Sequence, residues 1–178
     1  MKESGNTLKK YIPELGGNAA FVVADDADLD IASDIALASF DNAGQRCTAI
    51  KRILLFNDVA DKFIDKFISK VKKMKYGDPF DKNSDLGTLI DKESADNILK
   101  KVNDAVNSGA KLLYGNIVKG ALYSPTVLDC VSPNMDLVKY ETFGPIAPII
   151  RVDSIGDCIK IVESTPYKLA GAISTESF

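Results

Sequence analysis

A cysteine set in the polar turn Phe40-Asp41-Asn42-Ala43-Gly44-Gln45-Arg46-Cys47-Thr48-Ala49 gives this chain a group suited to covalent chemistry. Asn, Gly, Gln and Arg around Cys47 supply hydrogen-bond donors, backbone freedom and a positive charge, a setting that stabilises a thiolate. Such a thiolate could attack an electrophilic carbon, with its own backbone N–H aimed at the developing oxyanion. A packing role stays open from this turn alone, because free cysteine also behaves as a small hydrophobe. Two further turns carry chemistry-capable residues. In Glu14-Leu15-Gly16-Gly17 a carboxylate precedes two glycines that permit close backbone approach; its alternative reading is a solvent-exposed turn acid. In Glu141-Thr142-Phe143-Gly144-Pro145 an acid and an aromatic ring stand two apart, on one side of extended chain; alternatively Phe143 belongs to the core.

Composition removes several classes of function. The chain has 178 residues and no histidine, so a Ser-His-Asp triad, a Cys-His dyad and a His-ligated metal site are excluded within it, and no metal is expected. Any general base must be a carboxylate, lysine, tyrosine or water. Three cysteines, Cys47, Cys130 and Cys158, at long spacings fit neither a disulfide framework nor a zinc knuckle, and point to a reducing, cytoplasmic setting. Cys130 and Cys158 match no motif and read as packing residues. A net charge of -3, from 22 basic and 25 acidic residues spread along the chain, offers no basic field for nucleic acid or an anionic membrane. No apolar run has bilayer-spanning length, and the N-terminus lacks a signal peptide's apolar core.

These turns need elements to hold them. Ala19–Val23 reads as a buried strand, followed by a helix over residues 28–42 for which Asp25 or Asp26 could be the cap. Ile50–Phe56 is the next strand and Val59–Met74 an amphipathic helix with Phe63, Ile64, Phe67, Ile68 and Val71 on one stripe. After a turn-rich loop, Lys92–Ser108 is a second amphipathic helix stopped by Gly109. Short strands at Lys111–Tyr114 and Thr126–Leu128, a shaped loop over Asn134–Pro148, a strand at Ile146–Val152, a helix at Ser154–Glu163 and a strand beginning at Leu169 complete the pattern. This alternation predicts a single α/β domain: three layers, with a mostly parallel twisted sheet flanked by helices. Ligands in such sheets gather at the carboxyl ends of strands, which is where the glycine-marked turns are expected. Neither a G-x-G-x-x-G nor a Walker A spacing is present.

Taken in order, the motifs Glu14-Leu15-Gly16-Gly17-Asn18, Gly44-Gln45-Arg46-Cys47-Thr48-Ala49, Ser124-Pro125-Thr126-Val127-Leu128, Glu141-Thr142-Phe143-Gly144-Pro145 and Tyr167-Lys168-Leu169-Ala170-Gly171 resemble the catalytic domain of the aldehyde dehydrogenase superfamily. The resemblance spans essentially the whole chain. It implies that Cys47 adds to an aldehyde to give a thiohemiacetal, which passes hydride to NAD or NADP and becomes a thioester. It makes Glu14 the base for the hydrolytic water and Glu141 the holder of the nicotinamide ribose hydroxyls. Phe143, Leu15 and Gly16 would line the cofactor site. Neither the dinucleotide-binding domain, nor the asparagine of the oxyanion hole, nor the C-terminal oligomerisation arm of family members can be matched. The resemblance therefore implies a catalytic domain alone, inactive by itself and not expected to bind the cofactor stably, whose parent is a homodimer or homotetramer.

Arg46, directly before the nucleophile, resembles the branch of lactaldehyde, phosphonoacetaldehyde and non-phosphorylating glyceraldehyde-3-phosphate dehydrogenases. A guanidinium there would favour an anionic or hydroxylated aldehyde and help to ionise the thiol; alternatively Arg46 pairs with a surface acid such as Asp41. Two other functions stay in view. One is a coenzyme A-acylating relative, against which Glu14 argues, and the other is a non-catalytic folded module.

Overall fold

The computed structural model describes residues 2–7 and 9–177. A helical turn, α1 (Lys2–Gly5), precedes β1 (Ala19–Val23), α2 (Leu29–Ala36), β2 (Ile50–Phe56) and α3 (Asn57–Val71). Then follow α4 (Lys92–Asn107), β3 (Lys111–Tyr114), a small hairpin of β4 (Val118–Lys119) and β5 (Leu122–Tyr123), and β6 (Thr126–Asp129). The chain continues through α5 (Asp136–Lys139), β7 (Ile146–Val152), α6 (Ile155–Glu163) and β8 (Gly171–Ser174). Six of these strands form one sheet in the order β3-β6-β7-β2-β1-β8, parallel throughout except where β3 runs antiparallel to β6. The expected α/β architecture, a mostly parallel sheet flanked by helices, is what the chain adopts.

The central strands are apolar on both faces, as a parallel sheet covered by helices demands. Phe21 pairs in register with Ile53 and Val22 with Leu54, while Ile53 meets Ile149 on the other side. On α3, Phe63, Ile64, Phe67 and Val71 are buried, and Phe67 stacks on Phe40 at 6.0 Å and on Phe63 at 5.6 Å between ring centroids. Truncating such a ring to Ala removes about 3–5 kcal/mol. Asp91 caps α4 by accepting from the Ser94 N–H at 2.8 Å, and Gly109 at φ 106° follows its end.

Three local expectations are corrected. Asp28, rather than Asp25 or Asp26, caps α2, accepting from the N–H groups of Asp30 at 2.9 Å and Ile31 at 3.1 Å. That helix stops at Ala36, short of Asn42, and passes through a 3-10 turn at Leu37–Ser39. Asn42, Ala43 and Gly44 then take φ of 52°, 53° and 70°, a left-handed run that no right-handed helix can include. Cys130 is exposed at φ 55° instead of packed, because it follows the last residue of β6 as the chain turns away, whereas Cys158 is buried on α6 as expected.

The turns singled out in the sequence also lie at the opposite edge of the sheet from the one expected. Each ends just where a parallel strand begins: Gly17 before β1, Ala49 before β2, Pro145 before β7, Ala170 before β8, with Ser124-Pro125 leading into β6. They therefore gather at the amino ends of the strands. Because β6, β7, β2, β1 and β8 are consecutive and parallel, stretches far apart in sequence become lateral neighbours. The hydrogen bond from the Thr126 N–H to the Pro145 carbonyl at 2.9 Å is one such contact.

Candidate active site

Two glycines let the three central turns interlock. A Cβ on Gly17 would lie 1.9 Å from the Cys47 carbonyl oxygen, and one on Gly44 would lie 2.0 Å from that of Gly144. No side chain fits at either place. The Gly17 N–H donates to Glu141 Oε1 at 3.1 Å, so the carboxylate of the third turn is held by the backbone of the first. From α4, the Lys101 Nζ donates to the Glu141 carbonyl at 3.0 Å. Gln45 ties the Cys47 turn to the segment leading into α4, its Oε1 accepting from the Ile90 N–H at 2.9 Å.

All seven residues singled out from the sequence line one cleft of about 490 Å³: Cys47, Glu14, Glu141, Phe143, Leu15, Gly16 and Arg46. Gln45 and Thr48 complete its wall. Cys47 is half-buried, and Glu14 is exposed. Phe143 does not enter the core: it is 47% exposed, and Leu15 72%, so the cleft has two apolar walls open to an incoming group. The Arg46 guanidinium reaches the Asp41 carboxylate at 3.4 Å, with the two side chains 50% and 57% exposed. Among the described residues no cluster of His, Cys, Asp and Glu could hold a metal ion, and no helix is long and apolar enough to cross a membrane.

Two cations escaped the sequence reading. Lys51 and Arg52, adjacent on β2, are 4% and 2% exposed. Lys51 Nζ donates to the Gly44 carbonyl and stands 5.0 Å from the centroid of the Phe143 ring, in reach of the cleft. Burial pulls its pKa from the ordinary lysine value down to about 8, against the opposing pull of the Glu141 carboxylate and of Cys47. Arg52 faces the other way: its Nε and Nη2 donate to the Asn18 carbonyl at 3.0 and 2.7 Å, and its Nη1 to the Ile161 carbonyl at 2.9 Å. Asn18 in turn donates from Nδ2 to the Val138 carbonyl at 2.8 Å, which steadies the chain directly after the glycine pair. Two consecutive cations inside an otherwise apolar strand were the available signal, since alternation must send one to each face of a covered sheet.

A half-buried thiol, a carboxylate, a second carboxylate held by backbone and an open aromatic face thus surround one cleft. Comparisons with known proteins show what the chain as a whole is similar to. The chain is 40% identical over 181 residues to the mitochondrial succinate-semialdehyde dehydrogenase of Arabidopsis thaliana, covering 99% of this chain and 34% of that protein. It is 38% identical over 172 residues to the NADP-dependent glyceraldehyde-3-phosphate dehydrogenase of Streptococcus equinus, covering 96% and 36%. Among solved structures, it superposes with a TM-score of 0.89 on glyceraldehyde-3-phosphate dehydrogenase GapN of Methanocaldococcus jannaschii complexed with NADP, at 41% identity, covering 93% and 36%. The chain spans about a third of the length of the relatives it matches. With the sequence profile of the aldehyde dehydrogenase family matching residues 1–178 from end to end, the chain belongs to that family.

Proposed function

We propose that this chain is the nucleophile-bearing domain of an NAD(P)-dependent aldehyde dehydrogenase that converts a small anionic or hydroxylated aldehyde to its acid. The observation that carries the reading is the meeting of Cys47, Glu14, Glu141 and Phe143 around a single cleft. In this reading the Cys47 thiolate adds to the aldehyde carbon, and its backbone N–H stabilises the oxyanion of the resulting thiohemiacetal. The exposed faces of Phe143 and Leu15 and the carboxylate of Glu141 suit a flat heteroaromatic ring carrying ribose hydroxyls, with Gly16 leaving room beside them. When bound, the nicotinamide supplies the acceptor for the hydride. Glu14 then takes a proton from water as it attacks the Cys47 thioester, releasing the acid and restoring the thiol.

Arg46 supports the substrate class. Its exposed pair with Asp41 is the kind worth about 0–1 kcal/mol, so a substrate phosphate or carboxylate can displace the acid readily. The relatives named for succinate semialdehyde and glyceraldehyde 3-phosphate act on anionic aldehydes, in keeping with that assignment. Three free thiols suit a cytoplasmic protein, and a homodimeric or homotetrameric parent completes the reading.

The test is peptide-resolved alkylation by iodoacetamide, with exposed Cys130 as the comparison within the same molecule. Cys47 is expected to react at pH 7 faster than a free thiol of pKa about 8.5; a rate no higher than that sinks the nucleophile assignment. The 178-residue chain alone is expected to oxidise no aldehyde with either cofactor, and measurable turnover would overturn that part of the proposal.

A further inference from the structure

A lysine is almost never fully buried without a partner of opposite charge. Lys51 is 4% exposed, yet among the described residues no carboxylate lies within ion-pair distance of it. Its two contacts are with the walls of the cleft instead. The Gly44 carbonyl that accepts from Nζ belongs to the turn three residues before Cys47. The ring beneath Nζ, at 5.0 Å, is that of Phe143, whose neighbour Gly144 packs against Gly44. A single ammonium therefore touches both the segment that presents the thiol and the aromatic wall opposite.

We propose that Lys51 is a positioning residue for the nucleophile: its ammonium holds the Cys47 turn against the Phe143 wall and supplies the charge that favours the thiolate. This rests on Cys47 being the nucleophile. The other charged groups around the cleft do not fill the role. Arg46 is turned onto Asp41, Lys101 is bonded to the Glu141 backbone, and Glu14 and Glu141 are themselves anions. Away from water an unneutralised charge acts more strongly than at the surface.

The coupling is also reciprocal. Negative charge at Glu141 and at the Cys47 sulfur favours the protonated form of Lys51, and by linkage a protonated Lys51 favours negative charge beside it. With burial bringing the amine to about 8, the cation is still largely present at neutral pH and leaves as pH rises further. Its help to the thiol is therefore greatest at neutral pH, and fades in alkali, where a thiol ionises unaided.

The experiment is the rate of Cys47 alkylation by iodoacetamide as a function of pH in the wild-type chain and in Lys51→Met, with Cys130 read in the same digests. Expected is a rise of about one pH unit in the Cys47 midpoint and a fall of about tenfold in its rate at pH 7, with Cys130 unmoved. A folded Lys51→Met protein whose Cys47 profile superimposes on the wild type overturns the inference while leaving the nucleophile reading intact. Slow alkylation of Cys47 in the wild type overturns both. Should Lys51→Met fail to fold, the reciprocal measurement decides: in Cys47→Ser the Lys51 amine, followed by nitrogen-15 NMR, is expected to titrate at lower pH than in wild type, and an unmoved midpoint overturns the inference.

Discussion

Lys51 and Arg52 are neighbours on β2, equally removed from water, and held in opposite ways. Arg52 spends three N–H groups on two carbonyls, one of them, Ile161, in the last turn of α6, where backbone acceptors lack helical partners and the dipole favours a cation. Its planar fork suits that geometry. Lys51 has one carbonyl and one aromatic face, and its nearest anions belong to the cleft. Arg46 is a third cation in the same region but lies in solvent on Asp41. Similar charges a few residues apart thus serve fold, site and surface. Burial and the number of satisfied N–H groups separate them, not residue type.

Breaking the fold side of this comparison should have the largest effect. Arg52→Met takes the guanidinium from the buried Asn18 carbonyl and from the Ile161 carbonyl, which keeps only its bonds from Ser164, and should lower the free energy of unfolding by about 3–4 kcal/mol in denaturant titrations. The Cys47 alkylation profile of the remaining folded protein should keep its wild-type shape. Lys51→Met is expected to do the converse, and a pair of variants with the same signature would dissolve the distinction.

Next in size is a pH effect. Lys51 in the folded chain has its pKa lowered from 10.5 to about 8, so between those values the unfolded chain binds more protons and stability rises with pH. Below about 8 the full penalty of the buried charge is present; above about 10.5 it is gone. The stability of wild type minus that of Lys51→Met should climb by up to about 3 kcal/mol across this window, in chemical denaturation at each pH. A flat difference would mean that the ammonium is well solvated after all. The smallest change is expected at the surface: Asp41→Asn should shift stability by less than about 0.5 kcal/mol, and a larger loss in the melting curve would move Arg46 into the structural class.

The parts of the site that were legible in the sequence are those whose chemistry is local. Cys47 in its polar turn, Glu14 before a glycine pair, and Glu141 with Phe143 two residues on could each be picked out from type and spacing. Ile50–Phe56 was legible as a strand with the observed bounds, but its two cations gave no sign of which would face the cleft. That depends on β2 lying between β1 and β7, with both faces covered. The helix run on to Asn42 failed for a related reason. Its periodicity is helical, yet the approach of Gly44 to Gly144 demands a left-handed run that no local propensity announces.

Order and type of residues by themselves determined that this chain forms a mostly parallel α/β sheet, that it has no histidine, and which turns hold its candidate thiol and carboxylates. Those are properties of composition, periodicity and short spacing. Only the tertiary structure decided that the turns collect at the amino edge of the sheet, that Gly17 binds Glu141 across 124 residues of chain, and that Lys51 is shut in against the turn that carries Cys47. Parallel register and burial come from contacts between distant segments, and the electrostatic environment of a side chain exists only once those segments have met.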